Sequence, residues 1–304
     1  MLVERQGTAM GTMVHLAAID LDPRHLDAAF DRLLDRERRW TRFSDTSEVA
    51  TLNRSNARPC VVARDTAELI AAAIDGWHQT AGRFDPTVYD AVVAAGYDRT
   101  FALGPGPGGP AVMAPGLEDA LVDPETGVVS LPPGVRLDLG GIGKGFAADL
   151  ATAELLAAGA SQAAVSIGGD VRAVGSPESG WPIRSDLADE PIAWLVDGGF
   201  CLSTTAKRRW KIDGNDRHHI IDPATGLPSS AGLRDAAVAA CDATTAEISA
   251  TAAIVAGWPA ARDHLEASNL DGFVVLDDGE IHAFGGWSRN PSILALTADK
   301  TSRE

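Results

Sequence analysis

The chain has 304 residues, of which 45% are hydrophobic and 22% are charged, a composition typical of a folded globular protein. Its 26 Lys and Arg residues against 42 Asp and Glu residues give a formal net charge of −16. A chain this acidic repels nucleic acid and anionic lipid unless a local basic patch intervenes, and the longest basic run is KRRWK at 207–211. We therefore expect no nucleic-acid partner, and we expect any phosphate ligand to be held by a metal ion or by backbone N–H groups.

No segment reaches 18 consecutive apolar residues, and the N-terminus shows neither an apolar signal region nor a lipobox-like cysteine. We therefore expect a cytoplasmic protein that does not span a membrane. The three cysteines, Cys60, Cys201 and Cys241, form no CxxC pair. This pattern favours reduced, buried thiols.

The first third of the chain is predicted to be one strand followed by three helices. These elements are a strand at 13–19, a helix at 23–40, a short helix that ends near Asn53, and a helix from Ala67 to Ala81. Residues 103–116 contain five Gly and four Pro, which predicts a loop. We treat residues 1–304 as a single domain in which this loop is the candidate joint between subdomains.

After this loop, strands and helices are predicted in mixed order. The expected hairpins are 127–131 with 135–139, and 272–276 with 280–284 around Asp277-Asp278-Gly279. Further strands are expected at 163–167, resuming at Val171, and at 192–196, 200–203 and 236–241, with helices at 145–158 and 244–256. The set predicts an α+β fold with mixed sheets and flanking helices.

A glycine-rich turn, Asp138-Leu-Gly-Gly-Ile-Gly-Lys144-Gly145, lies between a predicted strand and a predicted helix. Such a turn can present several N–H groups and a helix N-terminus to an anion. It is neither a Walker loop nor a GxGxxG fingerprint, because Gly145 and Phe146 occupy the decisive positions. The sequence leaves open a phosphate site or simply a tight turn, and the charges of Asp138 and Lys144 favour the phosphate site.

Glu247 and Thr251 are four residues apart on a predicted helix and so share one face. A carboxylate and a hydroxyl at this spacing can both reach one hard cation such as Mg²⁺, although a solvated Glu beside a core Thr is the alternative. We expect Glu247 to be an exposed carboxylate, so that Glu247→Ala removes the metal without unfolding the protein.

His219 precedes Asp222-Pro-Ala-Thr-Gly, which has the composition of a turn with Pro at its second position. Asp222 is therefore explained by the turn alone, whereas His219 is a candidate base or a core hydrogen-bonding residue. His218 is an equal candidate on spacing. Likewise, Phe84-Asp85-Pro86-Thr87 has a turn composition, and Gly168-Gly169-Asp170 indicates a bulge or a close approach to the backbone.

Taken together, these segments resemble the ApbE family of FAD:protein FMN transferases over about residues 7–257. The resemblance is carried by DLGGIGKG at 138–145 with Asp149, SIGGDVR at 166–172, HIIDPATG at 219–226 and AEISATA at 246–252. It implies an enzyme with an ApbE-like fold that binds FAD and a divalent cation, usually Mg²⁺. Such enzymes move FMN onto a Thr or Ser hydroxyl of a target protein and release AMP.

The resemblance also implies roles for individual residues. The flavin nucleotide would be bordered by Met10, Phe43, Arg83, Phe84 and Asp85, with Asp138 and Lys144 in the nucleotide pocket. The metal ligands would be the Gly141 carbonyl, Glu247 and Thr251, with His219 at the reacting phosphate. Family members usually carry Asp at the position of Glu247 and often Tyr at that of Phe43. The longer Glu247 would hold Mg²⁺ less ideally, or would tolerate Mn²⁺ or Ca²⁺.

The acceptor implied by the resemblance is a protein that presents Thr or Ser in a short exposed loop, such as a flavin-carrying subunit of a redox complex. Two alternatives share the same residues. A metal-dependent FAD pyrophosphatase would give FMN and AMP with water as the acceptor. A non-catalytic flavin-binding module would hold FAD unchanged.

Overall fold

The protein is described from a computed structural model, which covers residues 1–175, 177, 180–185, 187 and 190–289. The helices of this part of the chain are α1 (Arg24–Trp40), α2 (Glu48–Asn53), α3 (Arg64–Gln79), α4 (Tyr89–Ala94), α5 (Gly143–Ala157), α6 (Ala243–Ala256) and α7 (Ala260–Ala267). Short 3₁₀ helices span Phe101–Leu103 and Gly285–Arg289. None of the helices in these residues combines the length and apolar character needed to cross a membrane.

The strands occur in runs, and the longest run is the ten strands between α5 and α6. They are β1 (Leu2–Ala9), β2 (Thr12–Ile19), β3 (Cys60–Val61), β4 (Leu121–Asp123), β5 (Val128–Ser130), β6 (Gln162–Ile167), β7 (Asp170–Val174), β8 (Trp181–Ile183), β9 (Ala193–Leu195), β10 (Gly198–Thr204), β11 (Arg209–Ile212), β12 (Asn215–His218), β13 (Ile221–Asp222), β14 (Leu227–Pro228), β15 (Leu233–Ala240), β16 (Asp271–Leu276) and β17 (Ile281–Phe284). The α+β class expected from the sequence is confirmed.

One eight-stranded sheet organises the molecule, with strand order β1-β2-β6-β7-β10-β15-β16-β17. Each neighbouring pair in it is antiparallel. The remaining strands form smaller sheets, of which β3-β5-β4 has three strands and β8-β9, β11-β12 and β13-β14 have two each. Helix α5 packs on β6 and β7, and α6 packs on β10 and β15, so the two helices lie side by side on the sheet.

The N-termini of α5 and α6 approach each other unusually closely. A Cβ at Gly145 would lie 2.4 Å from the Ala243 carbonyl oxygen, so only glycine fits there. Asp242 caps α6 through the Thr245 N–H at 2.6 Å, and Asp149 of α5 accepts the Ala243 and Thr244 N–H groups at 2.9 Å each. This contact fixes where α5 and α6 place their first polar side chains relative to each other.

One predicted strand is wrong. Residues 135–139 form no strand, and β5, their expected partner, pairs with β3 and β4 instead. The cause is a side chain that satisfies the backbone in place of a strand partner, because Asn53 accepts the Leu137 N–H at 2.7 Å and donates to the Leu137 carbonyl at 2.9 Å. The Asp138 N–H donates to the Pro86 carbonyl at 2.7 Å.

The cysteine expectation holds only in part. All three cysteines are free, with Cys201 buried and Cys60 half-buried, but Cys241 is exposed. Cys241 lies between the end of β15 and the Asp242 cap of α6, where the chain leaves the sheet. Its expected burial is therefore wrong.

The glycine- and proline-rich segment at 103–116 contains no helix or strand after its first residue, as expected. Its backbone nevertheless makes hydrogen bonds to the rest of the protein. The Gly106 N–H donates to the Gly96 carbonyl, and the Gly109 N–H donates to the Ala94 carbonyl, at 2.8 Å each. The Ala114 N–H donates to the Pro223 carbonyl at 3.0 Å, which links the segment to the turn after β13.

Candidate active site

The centre of the site is a buried cluster of three charged side chains from three elements. Lys144, in the first turn of α5, lies with its Nζ 2.7 Å from Asp170 Oδ2 of β7 and also contacts Glu247 Oε1 of α6. The Gly145 N–H donates to Glu247 Oε2 at 2.8 Å. Glu247 is 1% exposed and Asp170 is 2% exposed. The expectation that Glu247 is an exposed carboxylate is therefore wrong, because the contact between α5 and α6 encloses it.

Burial dominates the electrostatics of this cluster. It raises the pKa of Glu247 to about 7, with Lys144 opposing the shift and Asp170 adding to it. Burial alone would lower the pKa of Lys144, but the charges of Asp170 and Glu247 outweigh it and raise that pKa, so Lys144 is cationic at neutral pH. Burial, with the same two carboxylates, also raises the pKa of the Cys201 thiol, which stays protonated.

Oxygen donors lie beside this cluster. Thr251 Oγ1, one helical turn beyond Glu247, is 3.6 Å from the point that a Cβ at Gly141 would occupy. It also lies 3.5 Å from Ser203 Oγ of β10. The ring of Phe84 lies at 3.4 Å on the same side of Gly141. The predicted metal ligands Gly141, Glu247 and Thr251 are thus brought together.

Several backbone N–H groups of the glycine-rich turn already donate hydrogen bonds to acceptors within the protein. The Gly140 N–H donates to Asp138 Oδ1 at 2.9 Å, and the Gly143 N–H donates to the Leu139 carbonyl at 2.8 Å. Together with the bond from Gly145 to Glu247, these contacts use several of the N–H groups that the sequence offered to an anion. Positive charge for a phosphate here has to come from side chains or from a bound cation.

His219 and His218, equal on spacing, differ in the structure. His218 Nε2 hydrogen-bonds the Ser229 carbonyl at 3.0 Å, which gives this ring a structural contact, although its Nδ1 is buried without a partner among the described residues, like that of His219. His219 follows the end of β12, and its Nδ1 is buried without a hydrogen-bond partner among the described residues. Burial lowers the pKa of His219 to about 3, with further contributions from the charges of Arg208, His218 and Lys144. His219 is therefore neutral at pH 7, and its Nδ1 has no hydrogen-bond partner among the described residues.

A second corner of the site is built on Arg42, which the sequence analysis missed. Arg42 Nε lies 2.8 Å from Asp138 Oδ2, and the side chains are 5% and 14% exposed. The guanidinium stacks on Phe43 and Tyr97, with Cζ 4.2 and 4.6 Å from the ring centroids, while Nη2 is buried without a hydrogen-bond partner in the described part of the chain. Asp138, predicted for the nucleotide pocket, thus also holds Arg42.

The other predicted nucleotide residues lie around these two corners. Asp85 is buried and accepts bonds from the Thr87 N–H at 2.8 Å, the Thr87 hydroxyl at 2.6 Å and Trp77 Nε1 at 3.2 Å, so its oxygens hold the loop together. Burial raises the pKa of Asp85. Arg83 is half-buried on the same loop. The pKa of His264 in α7 is lowered mainly by burial and also by the charge of Arg83.

Met10 lies at the tip of the hairpin between β1 and β2, with a φ of 54°, and its side chain packs on the main core. The neighbouring Thr12 lies against Gly168, where a Cβ would come within 2.8 Å of the threonine side chain, and the Gly168 N–H donates to the Met13 carbonyl at 2.9 Å. The hairpin therefore packs against the Gly168-Gly169 turn, which precedes Asp170, the partner of Lys144.

Three residues of the site were not assigned a role from the sequence: Arg42, Asp170 and Ser203. Asp170 stands in the Gly-Gly-Asp segment that the pattern had marked as unusual, and Arg42 directly precedes the predicted Phe43. Ser203 carries no sequence signal, since it is one of two hydroxyl residues at the end of a largely apolar strand.

The fold and the site define a class of protein in which an antiparallel sheet carries a cluster of two carboxylates and one ammonium beside hydroxyl oxygens. The ApbE family model matches residues 10–274, and the chain belongs to this family.

Relatives and solved structures agree with that assignment. The chain is 26% identical over 97% of its length to a FAD:protein FMN transferase of Salmonella typhimurium, of which the match covers 89%. It is 28% identical to one of Treponema pallidum, with coverage of 86% of this chain and 79% of that protein. The crystal structure of the ApbE protein of Thermotoga maritima has a TM-score of 0.81 and 27% identity, and the match covers 95% of this chain and 98% of that one.

Proposed function

We infer that this chain is an enzyme that transfers the FMN part of FAD to a hydroxyl group of an acceptor protein and releases AMP. The single observation that carries the proposal is the placement of Glu247 and Thr251, one helical turn apart on α6, against the glycine-rich turn that holds Gly141 and Lys144. These are the segments by which the chain resembles its relatives, and both the Salmonella and the Treponema relatives are named for this activity.

The donor set fits a divalent cation. Glu247, Thr251 and the Gly141 carbonyl offer only oxygen atoms, as Mg²⁺ prefers, and Mn²⁺ or Ca²⁺ would accept the same donors. In the described residues no group of three or more His, Cys, Asp and Glu side chains is arranged to hold a metal. A cation here therefore depends on hydroxyl, carbonyl and substrate oxygens beside a single carboxylate. When bound, it would supply charge neutralisation for the pyrophosphate of FAD.

The protein's own residues supply positive charge and a proton acceptor. Lys144 is cationic, and its charge contributes to the lowered pKa of His219, so we expect both residues to face the same phosphate group. The acceptor oxygen attacks the phosphorus of the FMN half, the bond from that phosphorus to the AMP oxygen breaks, and AMP leaves. His219, neutral and with a free ring nitrogen, takes the proton of the attacking hydroxyl.

The nucleotide is bordered on the other side by the Arg42 corner and by the loop of Phe84. Phe43 is 40% exposed and presents a ring beside the buried Arg42 guanidinium, a surface suited to a flat heterocycle. Met10, Arg83, Asp85 and Asp138 complete this border, although Asp85 and Asp138 act mainly by holding Thr87 and Arg42 in place.

The acceptor is a protein that offers Thr or Ser in an exposed loop, because the attacking oxygen has to come in line with the breaking P–O bond at about 3–3.5 Å from phosphorus. The test mixes the chain with FAD, MgCl₂ and candidate acceptors from the same cell. The expected result is a gain of one FMN in the mass of an acceptor, with AMP released in equal amount, and no gain when the acceptor Thr is replaced by Val.

Two results would overturn the proposal. Free FMN and AMP without acceptor labelling across the acceptor panel would identify an FAD pyrophosphatase. FAD recovered unchanged after prolonged incubation with metal and acceptor would identify a flavin-binding module.

A further inference from the structure

Asp170 is a buried carboxylate to which the mechanism above gives no task. It begins β7 directly after the turn at Gly168-Gly169, and it is 2% exposed. Its Oδ2 lies 2.7 Å from Lys144 Nζ. The candidate metal ligand Glu247 contacts the same ammonium.

Lys144 is shared between two buried carboxylates. Its Nζ lies 2.7 Å from Asp170 Oδ2 and also contacts Glu247 Oε1. Both carboxylates are almost fully buried, so each depends on a positive partner, and a cation at Glu247 would supply a second one.

The position of Lys144 affects how a cation can bind Glu247. Glu247 Oε1 faces the Lys144 ammonium, so a cation that binds Glu247 displaces this contact. An ammonium that lost its only carboxylate would be left buried beside a cation, which is unfavourable. With Asp170 at 2.7 Å, the ammonium keeps a full partner when Glu247 is taken.

We propose that Asp170 is a positioning residue that retains the Lys144 ammonium and thereby frees Glu247 to bind a divalent cation. The inference rests on the proposed function, since it concerns the same cation site. Asp170 does not contact the metal. It fixes the place of Lys144, so that a cation that binds Glu247 does not leave the ammonium without a carboxylate.

The first test is Asp170→Asn, which keeps the shape of the side chain and removes its charge. Titration calorimetry with MgCl₂, in the absence and presence of FAD, measures cation affinity without turnover. Loss of such an indirect partner of a metal ligand typically weakens affinity by roughly 10–100-fold, and we expect a loss in this range. An unchanged affinity would overturn the inference.

Thermal unfolding separates this role from a merely structural one. Without Mg²⁺, Asp170→Asn leaves Lys144 and Glu247 as a balanced pair, so the variant is expected to melt no lower than the wild type. With Mg²⁺, the wild type is expected to gain more stability than the variant does. An equal loss of melting temperature in both conditions would show that Asp170 only supports the fold.

The third test asks whether Asp170 acts through Lys144. In a Lys144→Gln background no ammonium competes for Glu247, so adding Asp170→Asn is expected to weaken Mg²⁺ binding by a smaller factor than in the wild type. The same factor in both backgrounds would show simple long-range attraction and would overturn the positioning role.

The outcome also separates this inference from the proposed function. If the wild type binds no Mg²⁺ even with FAD present, the cation site itself is wrong and the role of Asp170 is wrong with it. If the wild type binds Mg²⁺ and labels its acceptor, while Asp170→Asn has wild-type affinity, only the inference about Asp170 is wrong.

Discussion

The candidate active site contains two ion-pair clusters, and they differ in the number of carboxylates for each positive charge. Arg42 and Asp138 form a one-to-one pair beside aromatic rings, and Arg42 Nη2 is buried without a hydrogen-bond partner in the described residues. In the cluster of Lys144, Asp170 and Glu247, two carboxylates share one ammonium. Under the proposed function, the Arg42–Asp138 pair shapes the nucleotide border without a bound ion, whereas the Lys144 cluster takes up a cation.

The largest expected effect comes from removing the negative charge of Glu247, the candidate metal ligand. Glu247→Gln keeps a hydrogen-bond acceptor for the Gly145 N–H and leaves Lys144 paired with Asp170, so the fold should survive. We expect it to abolish detectable FMN transfer, measured as acceptor labelling under saturating FAD. The matched control is Glu247→Asp, which should retain transfer because the charge is kept. Full activity of Glu247→Gln at limiting Mg²⁺ would contradict the metal assignment.

The second prediction concerns the two histidines. His219→Ala should lower turnover by roughly 10²–10⁴-fold, since His219 is expected to take the proton of the attacking hydroxyl. FAD affinity, followed by flavin fluorescence, should change little. His218→Ala is the control, and it should act on stability because His218 is bound to the Ser229 carbonyl. The reverse ranking of turnover would move the proton acceptor to His218.

Substitutions in the Arg42–Asp138 pair should mainly change the stability of the protein and its affinity for FAD. Arg42→Met leaves the Asp138 carboxylate buried without its partner, which should cost about 3 kcal/mol in urea unfolding and weaken FAD binding. Arg42→Met combined with Asp138→Asn should recover much of that stability, but not the FAD affinity. Recovery of both by the double variant would show that Arg42 does not contribute to the nucleotide border.

A smaller effect is expected from pH. The pKa of His219 is lowered by burial to about 3, from the usual value of 6.5. Between these values the unfolded chain binds a proton that the folded chain does not, so stability falls as the pH drops from about 6.5 towards 3. His219→Gln should flatten part of this slope in urea unfolding at several pH values, whereas His78→Gln, at an exposed position, should not. Equal slopes for the two variants would argue against the burial of His219.

Much of the fold could be predicted because the helices and central strands carry clear apolar patterns. The pattern at 23–40 gave α1 to within a residue, and the turn at 277–279 gave the last hairpin. The error at 135–139 arose because Asn53, distant in sequence, satisfies the backbone of Leu137. No local pattern contains that contact.

Many residues of the site could be predicted from the sequence, but their burial and their ion pairs could not. Helix α6 is rich in small residues and nine of its 14 residues are buried, so its sequence gives no polar face that would reveal the burial of Glu247. The pairing of Lys144 with Asp170 depends on the sheet placing β7 beside α5. The choice of His219 over His218 depended on a single carbonyl, that of Ser229.

The most direct measurement of the central claim is anomalous diffraction from crystals of this chain grown with FAD and MnCl₂. The account predicts one strong manganese peak bounded by Glu247, Thr251 and the Gly141 carbonyl, with the Lys144 ammonium retained by Asp170. A peak at another place, or no peak while FAD is bound, would contradict a cluster that a divalent cation completes.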